Sequence, residues 1–200
     1  MFKLFISLGM LLLSVSIQAK TLLVFGDSLS AAYNLRQQDG WVSLMAEALK
    51  SSHPEITVVN ASVSGETSQG GLSRLPALLE RYDPSWVVLE LGANDGLRGY
   101  PLQQTQENLA TMIDLAMNTN AEVLLIGNRL PSNYGRTYTE QFFTMYKTLA
   151  DSKEVAYIPF MLENVALDKS LMQSDGLHPN AAGQPIVLNN IAPVLLPMLQ

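Results

Sequence analysis

Five residues of this chain could together carry acyl transfer: Ser28, Gly65, Asn94, Asp175 and His178. Acyl transfer through a covalent intermediate needs a nucleophile, a general base and a group that orients the base. It also needs N–H donors for the negative oxygen that develops on the substrate carbonyl. Ser28 offers a hydroxyl. His178 offers an imidazole that can take its proton and return it to the leaving group. Asp175 offers a carboxylate that can fix the imidazole tautomer and stabilise the imidazolium. Asp175 and His178 stand three positions apart, so one loop can deliver both. The backbone amides of Ser28 and Gly65, with the side-chain amide of Asn94, could surround the oxyanion. Asp27 is expected to be structural, bonding loop amides and holding the turn at Ser28.

Each residue also has a plainer use. A serine before helix-compatible sequence is a common N-cap, and on residues 22–30 alone the two readings of Ser28 weigh the same. Gly65 could serve only to supply a positive φ, and Asn94 could only build a turn between Gly92 and Gly96. An Asp-x-x-His pair can bind metal. Here there is no cysteine, and the other histidine, His53, sits before Pro54 in a connecting loop, so no metal site is expected. Asn60-Ala61-Ser62 matches a glycosylation sequon and is taken as a chance match.

The elements that must position these residues decide between the readings. The apolar run 22–25, closed by Gly26, reads as a buried strand ending at a tight turn, with Ser28 just beyond its carboxyl end. Further strands are expected at 56–59, 86–91, 123–127 and 155–158. Helices are expected at 39–50, from a cap at Thr67 through Leu79, within 101–118 and at 138–152. Pro76 implies a kink or a late start in the second of these. Residues 162–172 read as irregular or partly helical. Residues 180–199 are apolar with helical spacing, but Pro185, Pro193 and Pro197 limit their regularity. Strands alternating with helices predict an α/β fold: one three-layer α/β/α domain on a five-stranded parallel sheet. Right-handed crossovers bring the carboxyl ends of all strands to one edge, the edge at which open α/β sheets bind ligands. The loops carrying Ser28, Gly65, Asn94 and the Asp175–His178 pair would meet there.

Composition narrows the setting. The chain of 200 residues suits one domain with a sizeable core, and 48% apolar residues argue against disorder. Residues 1–19 combine Lys3, a fourteen-residue apolar stretch and a terminal Ala19, the pattern of a cleaved secretory signal. An uncleaved N-terminal anchor is the alternative. The stretch is short for a membrane span. Residues 20–200 are then the catalytic domain of a periplasmic or secreted protein, a monomer without stable membrane insertion. The formal charge is −6, and setting aside Lys3, the one charge in residues 1–19, leaves −7. So acidic a surface disfavours nucleic acid and anionic membrane as partners.

Four stretches in order, Gly26-Asp27-Ser28-Leu29-Ser30, Gly65 after Asn60-Ala61-Ser62, Gly92-Ala93-Asn94-Asp95, and Asp175-Gly176-Leu177-His178-Pro179, resemble the motif blocks of the SGNH (GDSL) hydrolases. The resemblance runs from the first strand to the final helix. Residues 93–99 and 129–135 look like one branch of it, the periplasmic multifunctional thioesterase, arylesterase and lysophospholipase type. The resemblance implies Ser28, Gly65, Asn94 and His178 as the four named residues, Asp175 completing the triad, a flavodoxin-like fold and no cofactor. Ala93 stands where close relatives often have glycine, which leaves Asn94 in place. The serine motif is not the G-x-S-x-G elbow of α/β-hydrolases, because Ser30 occupies the second glycine position.

Thioesters, oxygen esters and aryl esters all present a carbonyl to such a triad, so the substrate depends on the pocket. Leu97, Leu130 and Tyr134, on loops after strands at the active edge, are expected to wall an apolar acyl groove for a small-molecule acyl ester or thioester. The alternative for Leu130 is packing under its own loop. Two other functions compete: a carbohydrate O-deacetylase, and a non-catalytic exported binding module that keeps the fold.

Overall fold

A computed structural model describes residues 20–200. The proposed signal at residues 1–19 lies outside the described residues. Five parallel strands, β1 (Lys20–Gly26), β2 (Ile56–Asn60), β3 (Trp86–Glu90), β4 (Glu122–Ile126) and β5 (Ala156–Ile158), form one sheet in the order β2-β1-β3-β4-β5. Around it pack α1 (Trp41–Ser52), α2 (Ser68–Tyr82), a short α3 (Ala93–Leu97), α4 (Leu102–Met117), α5 (Arg136–Lys153) and α6 (Gln184–Met198). The α/β fold expected from the alternation is the one observed.

Side chains of a strand alternate between faces, and here both faces are apolar. Leu22 and Val24 of β1 enter the core shared with Trp41, Met45 and Leu49 of α1 and Val187, Ile191 and Leu195 of α6. Leu23 and Phe25 enter the opposite core, with Leu75 of α2, Leu109 and Met112 of α4 and Phe142 and Tyr146 of α5. Burial on both faces explains why β1 reads as a continuous apolar run. Chain direction across the sheet reverses between β1 and β3: β1 leads outward to β2 on one side, and β3 to β5 extend on the other. The crevice at such a switch point lies outside the carboxyl ends of the two central strands.

The structure corrects the expectation at the prolines. α6 runs unbroken through Pro193 and Pro197, and α2 through Pro76, beginning at Ser68 rather than late. All three prolines are exposed, Pro193 and Pro197 on the side of α6 away from its buried residues and Pro76 on the flank of α2. The carbonyls that lose their partners therefore face water. Thr67 caps α2 as expected, its side chain accepting from the N–H of Gly70 at 3.2 Å. No regular helix follows Ser28. Residues 28–36 form turns in which Ala32 and Asn34 take left-handed backbone (φ 56° and 55°), and an α-helix of L-residues does not continue through that conformation.

Candidate active site

Ser28 leaves β1 at the switch point. Its Oγ lies 2.7 Å from His178 Nε2, and His178 Nδ1 lies 2.7 Å from Asp175 Oδ2. The serine hydroxyl is therefore engaged with an imidazole rather than with a helix end. Asp175 also accepts from the N–H groups of Leu177 (2.9 Å) and His178 (3.1 Å). Burial pushes its pKa up. The hydrogen bonds from Leu177 and His178, with the attraction of the imidazole, outweigh that, and the carboxyl lies below the usual range. An ionised Asp175 accepts the Nδ1 proton, which leaves Nε2 as the acceptor for Ser28. Tyr33 packs against the other side of the imidazole, ring centroids 4.6 Å apart.

The loop holding Asp175 and His178 is pinned at its base. Met172 and Pro179 form an isolated antiparallel bridge. The side-chain amide of Gln173 donates to the carbonyls of Pro179 (3.1 Å) and Tyr33 (3.0 Å), tying this loop to the one after Ser28.

Asp27 is buried and holds the Ser28 turn. Its Oδ1 accepts from the N–H of Leu29 (3.0 Å) and its Oδ2 from the side-chain amide of Asn94 (3.0 Å). One Asn94 N–H is thereby committed, and the planar amide carries the second in a fixed direction. Burial pushes the Asp27 carboxyl up to about 6, against the lowering effect of those bonds and of His178. Beneath it lies Glu90, the last residue of β3 and paired in register with Gly26. Glu90 Oε2 accepts from Ser30 Oγ (2.8 Å) and from the N–H of Asp27 (3.3 Å), gripping the turn on both sides of Ser28. Burial, then the charge of Asp27, pushes its carboxyl well up. Gly26 is required here: a Cβ would sit 2.6 Å from Glu90 Oε2.

Asn94 opens α3, and the buried Asp95 beside it fixes that helix. Asp95 accepts from the N–H (2.8 Å) and Oγ (2.6 Å) of Ser68 at the start of α2. Gly65 lies in the loop between β2 and α2 with φ 78°, a conformation that favours glycine. Its carbonyl accepts from Arg98 at 3.1 Å. Among the described residues neither the Ser28 N–H nor the Gly65 N–H donates a hydrogen bond, so both remain available to a ligand.

A cleft of about 1220 Å³ adjoins Ser28, Asn94 and His178, with Leu97, Leu130, Phe160 and Leu162 among its walls. Leu97 and Leu130 thus stand where the sequence suggested. Leu130 is also buried, its methyls beside Gly96, so it packs under its loop and lines the cleft. Tyr134 is not among the lining residues; its hydroxyl donates to the carbonyl of Leu97 at 3.0 Å, bracing that wall. Sequence reasoning missed Glu90, whose signal was a carboxylate closing an otherwise apolar strand. It also missed the wall formed by residues 160–169. No group of three or more potential metal ligands occurs among the described residues.

The chain is similar to known proteins over most of its length. The chain is 48% identical over 192 residues to esterase TesA of Pseudomonas aeruginosa, covering 96% of each. It is 46% identical over 181 residues to thioesterase 1/protease 1/lysophospholipase L1 of Escherichia coli (strain K12), covering 90% of this chain and 86% of that one. The crystal structure of TesA matches with TM-score 0.87 at 49% identity, over 90% of this chain and 99% of that one. Residues 24–186 match the model of the GDSL-like lipase/acylhydrolase family. With four motif loops meeting at one sheet edge and this match spanning most of its length, the chain belongs to the GDSL-like lipase/acylhydrolase family.

Proposed function

We propose that this protein is a serine esterase and thioesterase acting on acyl esters, with aryl esters, lysophospholipids and acyl-CoA as the substrate classes. The observation that carries the reading is the unbroken Ser28–His178–Asp175 hydrogen-bond chain beside an apolar cleft. Ser28 Oγ attacks the carbonyl as His178 Nε2 takes its proton. The carbonyl π pair moves onto oxygen, where the N–H groups of Ser28, Gly65 and Asn94 receive it. His178 then protonates the leaving alkoxide or thiolate as its bond to the acyl carbon breaks, leaving the acyl group on Ser28. Water, deprotonated by His178, attacks that ester in turn, and the carboxylic acid leaves as Ser28 recovers its proton. Asp175 holds the tautomer throughout and stabilises the imidazolium. Residues 20–200 act as one catalytic domain. We assign the protein to the periplasm or the medium on its N-terminal signal, and as a monomer.

The test is covalent labelling by an alkyl phosphonate with mass spectrometry, alongside turnover of p-nitrophenyl esters. Wild type should label at Ser28. Ser28→Ala should lose about 10⁴-fold or more in kcat with its circular dichroism unchanged. Hydrolysis undiminished in that variant would remove the proposal. The apolar walls favour longer acyl chains over the acetyl group of a carbohydrate, so rate should rise from acetyl to octanoyl ester.

A further inference from the structure

Arg129 lines the same cleft as Ser28 and His178, and the acyl-transfer chemistry makes no use of it. It follows β4 at the active edge, and its own N–H donates to the Asn128 carboxamide oxygen at 2.8 Å. Its guanidinium carbon lies 3.7 Å from the ring centroid of Phe143 and 5.8 Å from that of Phe160, another cleft residue. Contact with an aromatic face holds a guanidinium by its plane and leaves the N–H groups around its edge free to donate. Among the described residues the Arg129 side chain makes no hydrogen bond and no ion pair.

Arg81, stacked over Tyr82, is likewise without a hydrogen bond or ion pair among the described residues, but it does not line the cleft. Arg36, Arg74 and Arg136 each give Nε to a carboxylate, and Arg98 donates to the Gly65 carbonyl. Lys169 is a second cation of the cleft. Of the acids on the same wall, Asp168 is turned onto the N–H (2.8 Å) and Oγ (2.6 Å) of its neighbour Ser170, and Glu163 forms no ion pair among the described residues. The result is an exposed five-donor guanidinium with no acceptor among the described residues, on the wall of the cleft read as an acyl-ester site.

We propose that Arg129 is an anion-binding residue that takes the phosphate of the substrate's leaving group. Acyl esters and thioesters carrying a phosphate are then preferred over neutral ones with the same acyl chain. The proposal rests on the reading of the cleft as an acyl-ester site. Charged hydrogen bonds of this kind are each worth enough to give a preference of roughly 10- to 100-fold.

Two matched pairs test it: decanoyl lysophosphatidylcholine against monodecanoylglycerol, and decanoyl-CoA against S-decanoyl pantetheine, all below their micellar concentrations. The readout is the ratio of kcat/KM within each pair, for wild type, Arg129→Met and Arg129→Lys. The wild-type ratio should be large and fall with added salt. Arg129→Met should bring it close to one, mainly through KM of the phosphate-bearing member. Arg129→Lys, which keeps charge but loses the fork, should lie between. Damage to packing on Phe143 lowers both members and leaves the ratio in place. A ratio unaltered in Arg129→Met, or a wild-type ratio near one or indifferent to salt, overturns the proposal. Collapse in one pair alone supports it and identifies whether the phosphate is that of a lysolipid or of a CoA thioester. If wild type hydrolyses no member of either pair, the reading of the cleft fails, which is a different result.

Discussion

Replacing Asp27 with asparagine should change how stability depends on pH, and the structure supplies the size of the effect. Burial lifts this carboxyl from 3.8 to about 6 in the folded protein. Between those values the folded state holds a proton that the unfolded state has released. Stability contributed by the group is therefore fully present below pH 4 and is lost as pH rises through 6. Near 1.4 kcal/mol for each tenfold change in proton affinity, the loss amounts to about 3 kcal/mol. The carboxamide of the Asp27→Asn variant has no proton to lose. Glu90 acts in the same direction, because its carboxyl is raised in part by the charge of Asp27, and that part also disappears in the variant. The assay is urea unfolding of both proteins at pH 4, 5, 6 and 7. The variant begins with a handicap, since one donor–acceptor contact to Asn94 is altered, but its stability relative to wild type should climb by about 3 kcal/mol across the series. Two curves that stay parallel would show that Asp27 titrates normally and that its burial carries no such cost.

Asn94→Ala should lower kcat about 10²–10³-fold with little change in KM, because the lost donor serves the oxyanion rather than the ground state; steady-state kinetics on p-nitrophenyl octanoate measures it, and a change confined to KM would argue against that role. Asp175→Asn should cost about 10⁴-fold in kcat through the wrong imidazole tautomer, with only a small fall in melting temperature, since the side chain is partly exposed. Gly26→Ala should destabilise by about 1–3 kcal/mol as its Cβ is forced against Glu90, read by urea titration, and Gly26→Ala with Glu90→Ala should recover part of it if that contact is the cause.

Much of this architecture was legible because the sheet is buried on both faces. A strand such as 22–25 has to be apolar at every position, and a glycine has to follow where Glu90 crowds the backbone. The candidate site was legible for a related reason: the chemistry restricts the side chains, and the strand ends restrict where they can stand. The prolines of α6 misled because proline is hostile to helices in general, whereas Pro193 and Pro197 fall four apart on the wet side, opposite Val187, Ile191 and Leu195. Which side a residue faces is a tertiary fact. The same holds for Tyr134, whose loop position is compatible with facing the cleft or bracing Leu97. Glu90 lay inside an apolar run with no neighbour in sequence to explain it. Its partners, Asp27 and Ser30, are about sixty positions away and meet it only through the pairing of β1 with β3.

The bridge between Met172 and Pro179 has a consequence for how such a protein can diversify. The chain leaves and re-enters the body of the domain at neighbouring points, and between them it carries the proposed base and its orienting acid. The proposed nucleophile and oxyanion donors stand instead on loops that leave the strands of the sheet. Length and sequence can therefore drift in the first part while the second stays fixed, provided that the two anchor points keep their pairing. Selection can re-aim the proton-transfer half toward a new leaving group without renegotiating the fold. An engineer can do the same, varying the loop around Asp175 and His178 while Gln173 and the two anchor points are kept.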